Sequence, residues 1–209
     1  MRSWPFLDLS RRDFFSYFGA TAGTWLAVHV AARHSTWATP PQDVTPSQAS
    51  AGGPANPDWR TVIAAPDEPG EPLIVSGVVY AADGHTPVSG ARLYVYHTDA
   101  KGLYSLPGDN ARLPRLRGWM KTNSNGAYEF RTIKPAPYPV HRIPAHIHAT
   151  ISTPGYTERW LPEFWFDGDP FLAKKDIVAN IGKARFSQIL KLNRSAEGVL
   201  RATHDILLA

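Results

Sequence analysis

Two histidines one residue apart, His146 and His148, are spaced in a way that suggests chemistry rather than folding alone. They lie in an apolar stretch and are separated by Ile147. In a β-strand, successive side chains alternate between the two faces, so both imidazoles point to one side and Ile147 points to the other. Two imidazoles on one face can bind one metal ion. The residues that complete the site then decide which metal it is.

Two tyrosines, Tyr104 and Tyr138, are candidates for the remaining ligands. Each is expected at a loop or strand end, and Tyr138 is flanked by prolines eight residues before His146. The chain has no cysteine, and no carboxylate occurs between Glu129 and Glu158. Fe(III) favours anionic phenolate oxygens and also binds imidazole, whereas zinc more often has three histidines, or two with a carboxylate. These residue types therefore favour a ferric site.

The composition is that of an ordinary soluble globular protein, with 209 residues, 43% of them hydrophobic, and a formal net charge of +4. No run of lysine and arginine is dense enough to predict a nucleic-acid partner. Nineteen prolines and sixteen glycines favour short strands and many turns. The lack of cysteine excludes disulfides, zinc ribbons and iron–sulfur clusters. The oligomeric state stays open, a homo-oligomer included.

Residues 1–38 are predicted to be an export signal of the twin-arginine (Tat) type. Arg11 and Arg12 precede a weakly hydrophobic stretch, 18–32, which is shorter than the roughly 20 residues of a membrane-spanning helix. No stable membrane span is therefore expected in the mature form. The mature protein would be periplasmic or extracellular, with the signal either removed or kept as a membrane anchor. The alternative is an amphipathic N-terminal helix.

The rest of the chain divides into a linker and one domain. Residues 39–58, rich in Pro, Ala, Ser and Gly, are predicted to be a linker or disordered arm. Residues 59–209 are predicted to be all-β, a β-sandwich of antiparallel strands with long irregular loops and little helix. Runs of β-branched and aromatic residues predict strands at 73–80, 92–97, 119–122, 127–133, 145–152, 159–167, 186–192 and 199–208, with helical turns at 171–184.

The order of several motifs resembles the intradiol ring-cleavage dioxygenases of the protocatechuate and catechol type. The most specific piece is Pro-Ala-His-Ile-His at 144–148, which follows Gly-Leu-Tyr at 102–104 and Pro-Tyr-Pro at 137–139. The resemblance covers roughly residues 70–170. Pro-Val-Ser-Gly-Ala at 87–91 is a weaker piece, because such a motif also occurs in non-catalytic β-sandwiches.

The resemblance implies a cofactor, a reaction and roles for the four candidate ligands. It implies non-haem Fe(III) held by Tyr104, Tyr138, His146 and His148, with a catechol-type small molecule and O2 as substrates. The product would be a muconate-type diacid. Catechol would bind the ion through both hydroxyls, and Tyr138 would be displaced and help to accept a substrate proton.

Two positions depart from the family pattern. The family usually has an arginine three residues before the first ligand histidine, where this chain has Ile143; Arg142, one place earlier, is the candidate for that catalytic and substrate-binding role. A glutamine that partners this arginine is replaced by Glu163, which becomes a candidate substrate-binding residue. A carboxylate there would disfavour an anionic ring substituent unless it pairs with Arg142.

Two other functions remain open from the sequence. One is an exported, transthyretin-like or prealbumin-like β-sandwich that binds a partner or glycan without catalysis. The other is an enzyme of the same fold with altered chemistry, which Glu163 and Arg142 suggest. Among the other aromatic and imidazole side chains, Tyr94 and Tyr96 are expected to pack in the core or across strands. His97, His141 and His204 are expected on the surface or behind the ligands.

Overall fold

The structure, a computed structural model, describes residues 45–106 and 113–208. The predicted export signal, 1–38, and the first part of the predicted linker, 39–44, lie outside the described residues. Within the two described ranges, none of the helices has both the length and the hydropathy needed to cross a bilayer.

Short strands joined by turns and irregular loops make up most of the described chain. Two short helices, α1 (Pro46–Ala49) and α2 (Lys174–Asn180), and one 3-10 turn (Ala184–Phe186) complete it. The strands are β1 (Arg60–Val62), β2 (Pro72–Tyr80), β3 (Arg92–His97), β4 (Leu116–Lys121), β5 (Ala127–Ile133), β6 (His146–Thr153), β7 (Tyr156–Trp160), β8 (Phe164–Phe166), β9 (Ile189–Leu190), β10 (Asn193–Arg194), β11 (Leu200–Thr203) and β12 (Ile206–Leu207).

These strands form two sheets. The first has the order β1-β5-β2-β11-β10, with β12 also pairing with β2, and the second has the order β4-β3-β6-β8-β9, with β7 pairing with β6. The all-β sandwich with little helix is thus confirmed. The sheets are mixed rather than purely antiparallel, because β1, β9, β11 and β12 are short strands that join their neighbours in parallel.

The hydrophobic core lies between the two sheets. Along β2, buried residues alternate with partly exposed ones, as expected for a strand that buries one face. Val75 and Phe130 of the first sheet belong to the same core cluster as Val95 and Ile147 of the second, and all four are fully buried. In the second sheet, the face opposite this core carries polar and aromatic side chains.

The predicted single strand at 159–167 is instead two strands, β7 and β8. Pro162 lacks the backbone N–H that a continuous ladder requires, so the chain leaves the sheet between them. β7 pairs with β6 opposite Thr150, and β8 pairs with it opposite His146. The break places Glu163 beside the end of β6 that carries the histidines.

The described part of the predicted linker, residues 45–58, packs on the outer face of the second sheet. Thr45 caps α1 with a capping box, and Ala49 is buried in a cluster of tyrosines. The indole N–H of Trp119 donates to the Ser50 carbonyl at 2.9 Å, and the Ser50 hydroxyl donates to Glu158 at 2.6 Å. A few specific polar contacts hold a segment whose composition alone suggested disorder.

His97 and His204, which were expected on the surface or behind the ligands, are buried in the sandwich, and His141 is exposed. The two ring nitrogens of His97 lie 2.6 Å from the Thr132 hydroxyl and 2.7 Å from the Thr98 carbonyl. Burial lowers the pKa of both His97 and His204 to about 4, so both rings are neutral near pH 7.

Candidate metal centre

β6 presents its two histidines on one face, as the strand parity predicts. Ile147 is fully buried on the core face, while His146 and His148 lie on the outer face. The backbone N–H of Ala145 donates to the Asp169 carboxylate at 3.0 Å, which fixes the start of the strand. Across the ladder, Tyr96 of β3 stacks on His148 with ring centroids 4.6 Å apart and planes 18° apart.

The histidines offer unprotonated nitrogens to a common point. Nδ1 of His146 lies 2.7 Å from the Pro144 carbonyl oxygen. Because a carbonyl oxygen only accepts hydrogen bonds, Nδ1 carries the hydrogen and Nε2 keeps its lone pair. Burial lowers the pKa of His148 to about 3, so this ring is neutral near pH 7. Neutral imidazole is the form that binds metal ions.

Tyr104 lies in the loop between β3 and β4, which a carboxylate holds in shape. Oδ1 of Asp99 accepts from the backbone N–H groups of Lys101 at 2.8 Å and Leu103 at 3.0 Å. The N–H of Arg115 donates to the Tyr104 carbonyl at 2.8 Å, and the Arg115 guanidinium binds both carboxylate oxygens of Glu68. The backbone that carries Tyr104 is therefore fixed on both sides.

The loops that carry the two tyrosines contact each other through Gly102. This glycine has φ +78°, and a Cβ added there would overlap the carbonyl oxygen of Pro137. Nearby, the Thr98 hydroxyl donates to the Ala136 carbonyl at 2.7 Å. A glycine is required at 102 both for its backbone conformation and for this close approach. The contact brings Tyr138 towards Tyr104.

The four predicted ligands converge. The hydroxyl oxygens of Tyr104 and Tyr138 are 2.5 Å apart, and the Nε2 atoms of His146 and His148 are 3.1 Å apart. The Tyr138 oxygen lies 3.1 Å from Nε2 of His146 and 3.4 Å from Nε2 of His148, and the Tyr104 oxygen lies 3.0 Å from the latter. A non-catalytic sandwich would not need these four atoms to meet.

These distances fit one metal ion between the four atoms. Two ligand atoms that each bond one ion at about 2.0–2.1 Å lie about 2.9–3.4 Å apart for bond angles near 90–109°. The four distances of 3.0–3.4 Å fall in this range. The pair of phenol oxygens is at a hydrogen-bonding distance and would separate by a few tenths of an ångström on binding an ion. Two oxygen and two nitrogen donors of this kind suit Fe(III).

Both phenols are kept in the neutral form by their surroundings. Burial raises the pKa of Tyr104 well above its usual range, and the neighbouring Tyr138 raises it further. Burial also raises the pKa of Tyr138, to about 12, although the hydrogen bond with Tyr104 opposes this. In such a site, a phenolate forms only when a cation compensates its charge.

Glu163 is a fifth potential ligand, which the sequence analysis considered only for substrate binding. Its Oε1 lies 3.4 Å from Nδ1 of His148 and 3.8 Å from Nε2 of His146, and the three residues form the acidic and imidazole cluster that could hold an ion in the described chain. The absence of a carboxylate near the histidines in sequence thus did not exclude one in space. At Nε2 of His146, where both can be compared, the Tyr138 oxygen is nearer, at 3.1 Å, than this carboxylate, at 3.8 Å.

Arg142 is not brought together with Glu163. Its side chain is exposed, in a loop where Val140 and Ile143 are also exposed. Within the described residues, the Glu163 carboxylate lies within 4 Å of a ring nitrogen of each histidine and forms no ion pair with an arginine or lysine. The pairing that would have compensated the carboxylate is therefore absent from this part of the chain.

Three aromatic residues beside the site were not predicted to line it. Besides Tyr96, they are Trp160 of β7, whose ring centroid lies 6.5 Å from that of His148, and Trp165 of β8, whose indole N–H donates to Oε2 of Glu163 at 3.1 Å. Tyr96 pairs with His148 across the ladder, and Trp165 pairs with His146. Their position beside the histidines follows from the register between strands and could not be predicted from the residues next to them in sequence.

A family model described as Dioxygenase matches residues 46–209. Among curated proteins, catechol 1,2-dioxygenase 2 of Acinetobacter lwoffii is 30% identical over 150 residues, which cover 62% of this chain and 54% of that protein. 6-Chlorohydroxyquinol 1,2-dioxygenase of Cupriavidus pinatubonensis is 31% identical over 155 residues, covering 66% and 54%. The chain spans about half the length of these relatives.

Solved structures show the same fold. The dioxygenase domain of a dioxygenase–carbohydrate-binding protein fusion from Streptomyces sp. SirexAA-E matches with a TM-score of 0.56 and 28% identity, covering 79% of this chain and 98% of that one. Catechol 1,2-dioxygenase from Pseudomonas arvilla C-1 matches with a TM-score of 0.60 and 23% identity, covering 76% and 58%. The match with the Streptomyces domain spans almost all of that chain.

Proposed function

The chain belongs to the intradiol ring-cleavage dioxygenase family, and we propose that it opens a catechol-type aromatic ring with O2, between the two carbons that bear hydroxyls. Non-haem Fe(III) is the proposed cofactor and a muconate-type diacid the product. The convergence of Tyr104, Tyr138, His146 and His148 on one point carries this proposal. The curated relatives are named for catechol and chlorohydroxyquinol, which supports a catechol-type substrate.

The four side chains would hold the iron with two neutral imidazoles and two phenolates. Bound there, Fe(III) would act as a Lewis acid that orients the catechol and activates it towards O2. Tyr104 has the better anchored backbone, through Asp99 and Arg115, and is suited to remain in place throughout the reaction. His146 is oriented by the Pro144 carbonyl and His148 by its stacking on Tyr96.

Tyr138 is the better candidate to move a proton. Its oxygen is within 3.4 Å of the other three donor atoms, so it can exchange hydrogen-bond partners without a large displacement. It lies in the loop between β5 and β6, and the residues that follow it, Val140 to Ile143, are exposed. We assign it the role of accepting a hydroxyl proton as the substrate takes its place.

Aromatic side chains would shield the reacting ring from water on one side. Tyr96 is 5% exposed, and Trp160, which contacts Tyr96 and His148, is 39% exposed. An apolar wall beside the donor atoms favours a flat aromatic ligand and limits solvent access to the activated ring. The same wall leaves one side open towards Glu163.

Oxygen consumption by the iron-loaded protein tests the proposed reaction. Catechol, protocatechuate and hydroxyquinol would each be supplied in turn, and the product would be identified by mass spectrometry. We expect one O2 consumed per ring opened with at least one of them, and both oxygen atoms of labelled O2 in the diacid. Iron-loaded protein that binds catechols but consumes no O2 would instead favour altered chemistry on the same fold.

We also propose that residues 1–38 direct export by the twin-arginine route, on the strength of Arg11 and Arg12 and the weakly hydrophobic stretch that follows. Replacing both arginines with lysine should retain the protein in the cytoplasm, as measured by cell fractionation. Export of the doubly substituted protein at the wild-type level would contradict this assignment.

A further inference from the structure

Glu163 places a carboxylate beside the donor cluster, on a side chain that is in contact with solvent. Its Oε1 is 3.8 Å from Nε2 of His146, one of the four atoms that converge, and its side chain is 39% exposed. A catechol seated against the four donor atoms would therefore bring one edge of its ring close to this carboxylate. Whatever substituent that edge carries would meet the charge directly.

The two oxygens of this carboxylate have different surroundings. Oε2 accepts a hydrogen bond from the indole N–H of Trp165 at 3.1 Å, which fixes the orientation of the side chain. Oε1 accepts no hydrogen bond from the described residues and faces the histidines at ion-pair distances of 3.4 and 3.8 Å. Oε1 therefore faces Nδ1 of His148, and it keeps a second lone pair for a donor on a bound ligand.

No lysine or arginine of the described chain forms an ion pair with this carboxylate. The arginine expected to do so, Arg142, is exposed and forms no ion pair with Glu163. A second carboxylate, brought in on a substrate ring, would be repelled at this short range.

We infer that Glu163 selects among catechols by the charge of their ring substituent. It disfavours rings that bear a carboxylate and favours rings whose substituent is neutral and donates a hydrogen bond to Oε1, such as a hydroxyl or an amide. The indole of Trp160, whose ring centroid lies 6.5 Å from that of His148, supplies an apolar surface beside this histidine, which suits an uncharged group. This inference rests on the proposed function, because it names the class of catechol that the same site accepts.

A pair of ligands of matched shape tests the inference. 3,4-Dihydroxybenzoate and 3,4-dihydroxybenzamide differ in the charge and donor capacity of one substituent. Their dissociation constants would be measured for the iron-loaded protein without O2, from the change in its visible absorption on titration. We expect the amide to bind at least about tenfold more tightly than the carboxylate, a moderate figure because Glu163 is partly exposed to solvent.

The variant Glu163→Gln removes the charge and keeps the shape and the acceptor for the Trp165 indole. The ratio of the two dissociation constants should fall to within about threefold of unity, chiefly because the carboxylate ligand binds better. Electronic differences between the two ligands are the same in both proteins, so the change in ratio isolates the charge. Glu129→Gln, on the first sheet, removes one negative charge far from this face and should leave the wild-type ratio unchanged.

Two outcomes would overturn the inference without touching the proposed reaction. One is wild-type protein that opens catechol rings but binds the carboxylate and the amide equally well. The other is Glu163→Gln protein that is folded but has lost its iron, which would make the carboxylate a ligand. Failure of the proposed function itself would look different, since the protein would then consume no O2 with any catechol.

Discussion

The two faces of the second sheet are built from the same strands but serve different ends. On the inner face, Val95 and Ile147 pack into the core between the sheets. On the outer face of the same strands, Tyr96 stacks on His148. One residue along β6 therefore separates a side chain that stabilises the fold from one that would hold the metal. Substitutions on the outer face should therefore lower activity, and substitutions on the inner face should lower stability.

The largest effect is expected from Tyr104→Phe, which removes one donor atom from the outer-face cluster and changes little else. Loss of a ligand should lower the rate of ring opening by at least about a thousandfold and weaken iron binding, while the fold is retained. Oxygen uptake and metal analysis would be compared with thermal unfolding of the same sample.

Tyr94→Phe is the matched control for that variant. Tyr94 lies on the outer face of β3, as Tyr96 does, and is buried. Its hydroxyl has no hydrogen-bond partner among the described residues. Its loss should change activity by less than about threefold. Equal loss of activity in both variants would show that the face as a whole, rather than the Tyr104 oxygen, is what matters.

On the inner face, Ile147→Ala should act on stability. Removing most of a fully buried side chain between the two histidines should lower the free energy of unfolding by about 2–5 kcal/mol, as measured by urea denaturation. Protein that remains folded should still bind one iron, because the histidines point the other way. Ser152→Ala, on the outer face of the same strand, should change the free energy of unfolding by no more than about 0.5 kcal/mol.

His97 on the inner face makes stability depend on pH. Its pKa lies at about 4 in the folded protein and at 6.5 ordinarily, so the unfolded chain binds more protons between these values. Its contribution to the free energy of unfolding is therefore fully present above about pH 6.5. As the pH falls from there towards 4, the free energy of unfolding decreases by about 3 kcal/mol because of this histidine. The Glu68, Asp99 and Arg115 side chains also act on this ring.

Urea denaturation between pH 4 and 7 measures this dependence. The slope of stability against pH should be smaller for His97→Gln than for the wild type, whereas His85→Gln, which alters an exposed histidine, should keep the wild-type slope. An unchanged slope in His97→Gln would mean that another group causes the acid sensitivity.

The smallest effect is expected from Arg142→Ala. Because this side chain is exposed and unpaired with Glu163 in the described structure, its loss should lower kcat/KM for catechol by less than about fivefold. Steady-state kinetics would measure it. A hundredfold loss would show that Arg142 reaches the substrate during turnover, which would restore the role that the resemblance implies for it.

Much of the fold and the four candidate ligands were predictable because the signals are local. Strand alternation fixes which way His146 and His148 point, and motif order identifies Tyr104 and Tyr138. The approach of Glu163 to the histidines could not be predicted in this way. It depends on the interruption of the strand at Pro162 and on the register of β8 against β6.

Other features depended on contacts between distant segments. The stacking of Tyr96 on His148 requires the pairing of β3 with β6, and the docking of α1 requires Trp119 and Glu158 to meet Ser50. In neither case does the sequence of one segment predict the segment that it contacts. Composition alone therefore suggested a free linker where the structure has a segment held on the sheet.

The central claim, that two phenols and two imidazoles hold one iron, is tested most directly by locating the metal. A crystal structure of the iron-loaded protein, with anomalous scattering recorded at the iron edge, would show the ion and its ligand atoms. We expect one iron at about 2 Å from the side-chain oxygens of Tyr104 and Tyr138 and from Nε2 of His146 and His148. An ion bound by Glu163 and the two histidines, with both phenols free, would contradict the claim.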